Sequence, residues 1–237
     1  MRRLIMLAGK TRGLTFPNPL VAAAVIIDNE VVSEGVHQGV GLSHAEVLAL
    51  DSAGVRAKGA TLFITLEPCS HFGHTPPCVE AILSSGISRV IFSMRDPNPE
   101  VQKNLGLKKL RDAGIQVDFG LLEDESIELN DVFIKNTVCS LPLVTLKCAM
   151  TLDGKMAMPD GESLYITSEA SRKDVHRLRR AVGAIIVGIN TVLMDDPSLN
   201  VRFGLLRSRY QESVKIVIDP TLKISQHSKL FNLKPHS

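Results

Sequence analysis

His44-Ala45-Glu46, Cys69 and Cys78 are the residues of this chain whose types and spacing could do chemistry together. Imidazole and thiolate are ligands that zinc takes readily, and three of them leave a fourth position open for water. The ion lowers the pKa of such a water from about 15.7 toward about 7, which supplies a nucleophile at neutral pH. A carboxylate that does not bind the metal can then carry protons from the water to a substrate. Glu46, two residues after His44, is the candidate for that task.

Each piece is weak alone. A single His ahead of a helix is usually structural or solvated, and two cysteines separated by eight residues say little by themselves. The joint pattern says more. His-x-Glu and Pro-Cys…Cys elements, each placed where a helix starts, form the signature of zinc deaminases, although that signature has only two residues between its cysteines. A structural zinc would call for a fourth protein ligand; His71 or His74 could be one, but a catalytic zinc with three ligands is the preferred reading. In the loop between the cysteines, Gly73, Pro76 and Pro77 hold a fixed shape. Its His71 and His74, with the hydroxyls of Ser70 and Thr75, could bind a polar or anionic substrate group or simply tie the loop down.

These residues must be positioned by regular elements. The first residues form an amphipathic helix rather than a signal peptide, because the apolar run before Lys10 is too short and no cleavage site follows. Residues 21–27 and Glu30–Val36 read as strands around Asp28-Asn29, a tight hairpin. Ser43 is expected to cap a helix that begins at His44 and stops at Gly54. Thr61–Leu66 is a β-branched alternating run, Cys78–Ser85 is a helix ending at Gly86, and Arg89–Met94 is another strand. A helix over 105–113, a strand over 115–119 and a helix over 123–138 follow. Strands alternating with helices imply an α/β fold whose sheet is mostly parallel and covered on both faces. Leu141-Pro142 breaks the last helix, so the domain boundary is expected near residue 140, giving units 1–140 and 141–237. In the second, a strand over 143–149, a helix from its cap Ser168 to about Val182, and strands over 184–187 and 215–218 are expected.

Composition narrows the function class. The net charge is +2, and there are no Trp, two Tyr and eight Phe. A nucleic-acid binder would carry a basic patch, often with aromatic side chains for stacking, so a small-molecule substrate is expected. No stretch approaches the roughly eighteen apolar residues of a membrane span, and the chain reads as cytoplasmic. Of the four cysteines, Cys139 and Cys148 lie in or beside apolar stretches and read as inert small hydrophobes.

With these pieces in place the chain resembles the bifunctional deaminase–reductase family of riboflavin biosynthesis, the RibD family, over nearly its whole length. The resemblance rests on Pro17-Asn18-Pro19, His44-Ala45-Glu46, the run from Thr65-Leu66-Glu67-Pro68-Cys69-Ser70-His71 to Thr75-Pro76-Pro77-Cys78, and Asp96-Pro97-Asn98-Pro99. It implies a three-layer cytidine-deaminase-like domain followed by a partial dihydrofolate-reductase-like α/β domain. It implies zinc-dependent loss of the 2-amino group of 2,5-diamino-6-ribosylamino-4(3H)-pyrimidinone 5′-phosphate, a small phosphorylated pyrimidine, by a homo-oligomeric enzyme. Asn18 and His37 should then line the substrate pocket and His71 should contact substrate. His74 stands where the family usually has Lys or Arg for the phosphate, and a neutral imidazole binds phosphate less strongly than a permanent cation. The alternatives are a zinc deaminase of another base, a nucleoside or tRNA, and a non-catalytic zinc-stabilised binding module.

The second unit resembles the family's NADPH-dependent reductase half through Lys147-x-Ala149-x-x-Leu152-Asp153-Gly154, Gly161-Glu162-Ser163, Ile166-Thr167-Ser168 and Thr191-Val192-x-x-Asp195-Asp196-Pro197. By this resemblance Ala149, Tyr165 (usually Trp), Thr191 and Asp195 would contact NADPH, and Ser163, Arg179, Leu199 and Arg202 would contact the reductase substrate. Arg172, His176, Arg179 and Arg180 read first as a solvated basic face, with a bidentate contact from Arg179 to phosphate as the functional alternative. Only 97 residues follow residue 140, fewer than the family's reductase half, so the expectation is a working deaminase and an incomplete reductase unless a partner chain supplies the rest.

Overall fold

Asp28 and Asn29 both have positive φ, 48° and 64°. A two-residue hairpin turn demands this backbone, and Asn and Asp adopt it more readily than most residues. The computed structural model describes residues 1–73, 75–103, 105–156, 165–204 and 213–231. In it this turn joins β1 (Ala22–Ile27) to β2 (Glu30–Val36), with Ile27 opposite Glu30 and Ala22 opposite Val36. Next to β1 on its other side lies β3 (Thr61–Leu66), antiparallel to it. β3 pairs in parallel with β4 (Arg89–Met94), and β4 in parallel with β5 (Gln116–Phe119). The order is β2-β1-β3-β4-β5. The sheet is therefore mixed and not mostly parallel, because a two-residue turn can join only antiparallel neighbours.

β1 shows why both faces of the sheet must be covered. Its side chains alternate, so Ala22 and Ala24 pack on one face with Leu4 and Ala8 of α1 (Arg2–Gly9). Ala23 and Val25 pack on the other with Ala45 and Ala49 of α2 (Ala45–Ala53) and with Val79 and Ile82 of α3 (Cys78–Ser85). After β4 come α4 (Pro99–Lys103) and α5 (Gly106–Asp112), whose Leu110 joins the second cluster. The result is helix, sheet and helix, three layers.

α2 lies unusually close to β2. A Cβ on Gly35 would stand 2.2 Å from the carbonyl oxygen of Ala45 and 2.6 Å from the amide nitrogen of Ala49, so strand and helix touch backbone to backbone. Gly35→Ala must push α2 away. Overpacking of this kind costs about 1–3 kcal/mol, and we expect a lowered chemical-denaturation midpoint with an unchanged slope. The helix ends at Gly54, φ 55°, as expected. Its N-cap is His44 and not Ser43. His44 has extended backbone and makes no side-chain cap bond, because its imidazole is turned toward the two cysteines.

The single helix expected over 123–138 is two, α6 (Glu123–Leu129) and α7 (Asp131–Cys139). Asn130 breaks it. Its buried amide accepts from Leu20 N at 2.8 Å and donates to Leu20 O at 3.2 Å, tying the chain entering β1 to the break. Asn130→Ala leaves the Leu20 groups without these partners in a buried place. An unsatisfied buried polar group costs about 1–3 kcal/mol, and thermal unfolding of the variant should register that loss.

The chain divides into two compact units, Met1–Val144 and Thr145–Ser237. In the second, Ser168 Oγ accepts from Ser171 N at 3.2 Å and caps α8 (Glu169–Ala181), as expected. β6 (Ala184–Gly188) runs parallel to β7 (Val214–Ile218), with α9 (Ile189–Asp195) following β6. Val192, Leu199 and Leu230 form a small core there with Ile185, Val187 and Val217. No strand forms over 143–149. The β-branched sequence suits one, but no described strand pairs with it, and Val144 and Leu146 are 80% and 87% exposed. Among the described residues no helix is long and apolar enough to cross a membrane.

Candidate active site

The carboxyl ends of β3 and β4, where ligands gather in open α/β sheets, lead directly into the candidate site. After β3 the chain runs through Glu67 and Pro68 to Cys69, and after β4 through Arg95 to Asp96. The first residue of α3 is Cys78, held there by Pro77 at the N-cap, and α2 begins beside His44. The start of α2 and the segments that follow the two strands thus meet around one cavity of about 220 Å³, whose lining includes Asn18, His37, His44, Glu46, Cys69 and His71.

One ligand atom from each of His44, Cys69 and Cys78 lies within 4.8 Å of the others. His44 Nδ1 is 3.1 Å from Cys78 Sγ and 3.5 Å from Cys69 Sγ, and Cys78 N donates to Cys69 Sγ at 3.3 Å. The Cys78 and His44 side chains and the Cys78 amide hold the Cys69 thiol well below its ordinary pKa, while the same pairing and burial push Cys78 up. These protein groups share protons among themselves. A divalent cation would replace those protons, as metal binding to thiol sites generally does, and the mixed nitrogen and sulfur donors fit zinc. His71, one candidate for a fourth ligand, is not a member of this group. His74, the other, lies outside the described residues.

Glu46 is only 4% exposed and reaches the cavity from the first turn of α2. Burial, and next the negative charge at Cys69, raise its carboxyl to about 7. That places it where a group can both take and give a proton near neutral pH. His37 and Asn18, remote in sequence, meet. Nδ1 of His37 donates to the Ser43 carbonyl at 3.2 Å, which leaves Nε2 to accept from Asn18 Nδ2 at 3.1 Å. Burial lowers the pKa of His37, in keeping with a neutral ring whose tautomer the carbonyl fixes. His71 lines the cavity, and its Nδ1 is buried with no protein partner. Of the loop hydroxyls, Ser70 Oγ donates to the Val101 carbonyl at 3.2 Å and so ties the loop down. Thr75 Oγ1 stands 3.3 Å from His44 Nε2.

Sequence reasoning gave no role to Glu67, Asp96, Asn98 and Phe133, which also line the cavity. Glu67 Oε2 accepts from Arg95 Nε at 3.0 Å and from Asp96 N at 3.3 Å. Asp96 accepts from Asn98 N at 2.8 Å, and burial raises its carboxyl to about 6. The signal that could have found three of them is position: each polar residue follows the carboxyl end of a strand in the parallel half of the sheet.

In the second unit the basic residues of α8 are not a solvated face. His176 is 4% exposed, its ring packs edge-on against Phe203 at 5.1 Å, and its Nδ1 accepts from Arg202 N at 3.0 Å. Arg179, half-buried, donates to the Asn200 carbonyl at 3.4 Å, and burial and the Arg202 charge lower its pKa. Arg179 and Arg202 are therefore neighbours, and buried Leu199 precedes the same turn. The four residues expected at NADPH are less concentrated. Tyr165 is exposed with the Arg172 guanidinium 4.2 Å over its ring. Thr191 and Asp195 lie one turn apart on the exposed side of α9, and Ala149 is half-buried. Ser163 and the rest of Gly161-Glu162-Ser163 lie outside the described residues.

Comparison with known proteins matches both units. Residues 1–94 match the cytidine and deoxycytidylate deaminase zinc-binding region, and residues 142–237 match the RibD C-terminal domain. Riboflavin biosynthesis protein RibD of Aquifex aeolicus is 48% identical over 98% of this chain and 64% of its own length. That of Escherichia coli is 44% identical over 95% and 64%. Among solved structures, Acinetobacter baumannii RibD gives a TM-score of 0.89 at 39% identity, covering 98% of this chain and 65% of that one. A deaminase/reductase from Thermotoga maritima, named for diaminohydroxyphosphoribosylaminopyrimidine and 5-amino-6-(5-phosphoribosylamino)uracil, gives the same score and identity, covering 98% and 66%. The chain thus spans a little under two thirds of the length of these relatives. Matched by a deaminase zinc-binding region and then by a RibD C-terminal domain, this chain is similar in sequence to RibD-family proteins across almost all of its residues.

Proposed function

We propose that residues 1–140 form a zinc-dependent deaminase acting on 2,5-diamino-6-ribosylamino-4(3H)-pyrimidinone 5′-phosphate in riboflavin biosynthesis. Residues 141–237 then correspond to the N-terminal part of an NADPH-dependent reductase domain. The observation that carries the deaminase reading is the meeting of the ligand atoms of His44, Cys69 and Cys78 at a cavity that His44, Cys69 and buried Glu46 line. His44, Cys69 and Cys78 would hold the metal. When bound, zinc supplies a Lewis acid that makes water a nucleophile at neutral pH.

The protein's own groups do the rest. Hydrolysis breaks the C–N bond to the 2-amino group and forms a C–O bond to water, releasing ammonia. Glu46 takes the two protons of the attacking water one after the other, gives the first to the ring nitrogen and the second to the leaving amine, and so ends in the state in which it began. The neutral His37 fixes the amide of Asn18 at the cavity wall, where Asn18 can hold the pyrimidine edge. His71 offers an unpartnered ring nitrogen to a polar substrate atom. A role for His74 toward the phosphate belongs to the same proposal.

For the second unit, Ala149, Tyr165, Thr191 and Asp195 are proposed toward NADPH, and Ser163, Arg179, Leu199 and Arg202 toward the reductase substrate. The neighbouring Arg179 and Arg202 support an anionic ligand there. Four free cysteines suit a reducing, cytoplasmic setting, and we propose a homo-oligomer, to be checked by light scattering.

The test is a substrate panel. Zinc-loaded chain should release ammonia from the phosphorylated diaminopyrimidine and not from cytidine, guanine or adenosine. Release from one of the other bases instead would overturn the substrate assignment and keep the zinc chemistry.

A further inference from the structure

We propose that Thr75 is a positioning residue for the metal centre: its hydroxyl holds the ring of His44 in the one tautomer that can bind zinc through Nδ1. The inference rests on the zinc reading above. His44 Nδ1 faces both sulfurs, at 3.1 Å from Cys78 and 3.5 Å from Cys69. The other ring nitrogen, Nε2, has Thr75 Oγ1 at 3.3 Å. A neutral imidazole carries one proton. If Nδ1 is to offer its lone pair to a metal, that proton must sit on Nε2, and Thr75 Oγ1 is in place to accept it. Such outer partners fix the ring orientation and tautomer of metal-binding histidines and raise ligand basicity.

The local sequence explains how a loop threonine can do this. Thr75 precedes Pro76, which restricts Thr75 to extended backbone, and Gly73 N donates to the Thr75 carbonyl at 3.3 Å. Pro76 and Pro77 then lead straight to Cys78 at the start of α3. Thr75 and Cys78, three residues apart, thus address the two nitrogens of one ring. From another side the His37 ring meets His44 edge-on, centroids 5.4 Å apart at 82°, which leaves His44 little freedom to rotate. The long spacing between the cysteines gains a purpose from this: it accommodates a residue that orients the histidine as well as one that binds metal.

The experiment is zinc affinity of the full chain by chelator competition, with Thr75→Val and Thr75→Ser beside the native sequence. Valine keeps the shape and loses the hydroxyl; serine keeps the hydroxyl and loses the methyl. Loss of an outer partner weakens metal binding about 10–100-fold, so Thr75→Val should bind zinc that much more weakly while Thr75→Ser stays within about 3-fold of native, well short of that penalty. The thermal midpoint of the chelator-stripped chain should be the same in native and Val forms. Unchanged affinity in Thr75→Val overturns the proposal. Equal weakening in Val and Ser, or a fall in the stripped chain's midpoint that matches the loss, also overturns it by pointing to packing. Absence of zinc binding by the native chain overturns both this inference and the zinc reading, and only that result touches the latter.

Discussion

Glu46→Gln is expected to lower ammonia release by about 10²–10⁴-fold, the size of a general acid–base contribution, with zinc still bound at the native ratio. The two side chains have nearly the same shape, and the site offers no reason for misfolding: Glu46 is buried in the first turn of α2 and makes no part of the His44, Cys69 and Cys78 group. What changes is the proton. A carboxyl can accept from water and donate to a leaving amine, and an amide can do neither. Glu46 is not one of the three candidate ligands, so zinc content should stay at the native ratio. Metal analysis and a continuous ammonia assay on the same sample check both halves of the expectation. Loss of zinc together with activity would assign Glu46 to the metal and not to the substrate.

Cys78→Ser is expected to remove zinc and activity together. Cys78 is fully buried at the start of α3 and brings its sulfur to 3.1 Å from His44 Nδ1. A serine hydroxyl is no substitute for a thiolate toward zinc, so the loss should exceed the roughly 10–100-fold that follows removal of an outer partner. A second consequence is thermodynamic. A ligand that binds only the folded chain stabilises it by RT ln(1 + [L]/Kd), about 2.7 kcal/mol at a hundred times Kd. Native chain should therefore melt higher in zinc than after chelation, and Cys78→Ser should melt alike in both. Calorimetry with and without chelator reads this directly. Retention of stoichiometric zinc by the variant would dismantle the three-ligand centre.

Much of this was legible in the sequence because local chemistry decided it. Asp28-Asn29 could turn only one way, and Gly54 and Gly86, both with positive φ, end α2 and α3 where expected. The ligand triad was legible too, since His44, Cys69 and Cys78 each sit at a junction between elements and the fold brings their ligand atoms together. What escaped depends on contacts across the fold. Asn130 breaks a helix because Leu20, 110 positions away, offers it a carbonyl and an amide. Residues 143–149 have strand-like composition, but a strand exists only where a neighbour pairs with its backbone. Ser43 has the better capping side chain, yet His44 takes the N-cap because its ring is committed to the cysteines. Asp96 and Glu67 were visible as motif letters, while their burial and their places at the cavity required knowing that β3 and β4 lie side by side.

On the proposed function, a zinc ion held by His44, Cys69 and Cys78 is required for removing the 2-amino group of the phosphorylated diaminopyrimidine. The most direct measurement is ammonia release from that substrate as the chelator-stripped full chain is titrated with zinc. The stripped chain should release none, and the rate should rise with occupancy to a plateau at about one zinc per chain, as a single three-ligand site requires. Release that ignores zinc occupancy, or no release from a fully loaded chain, would contradict the proposed function.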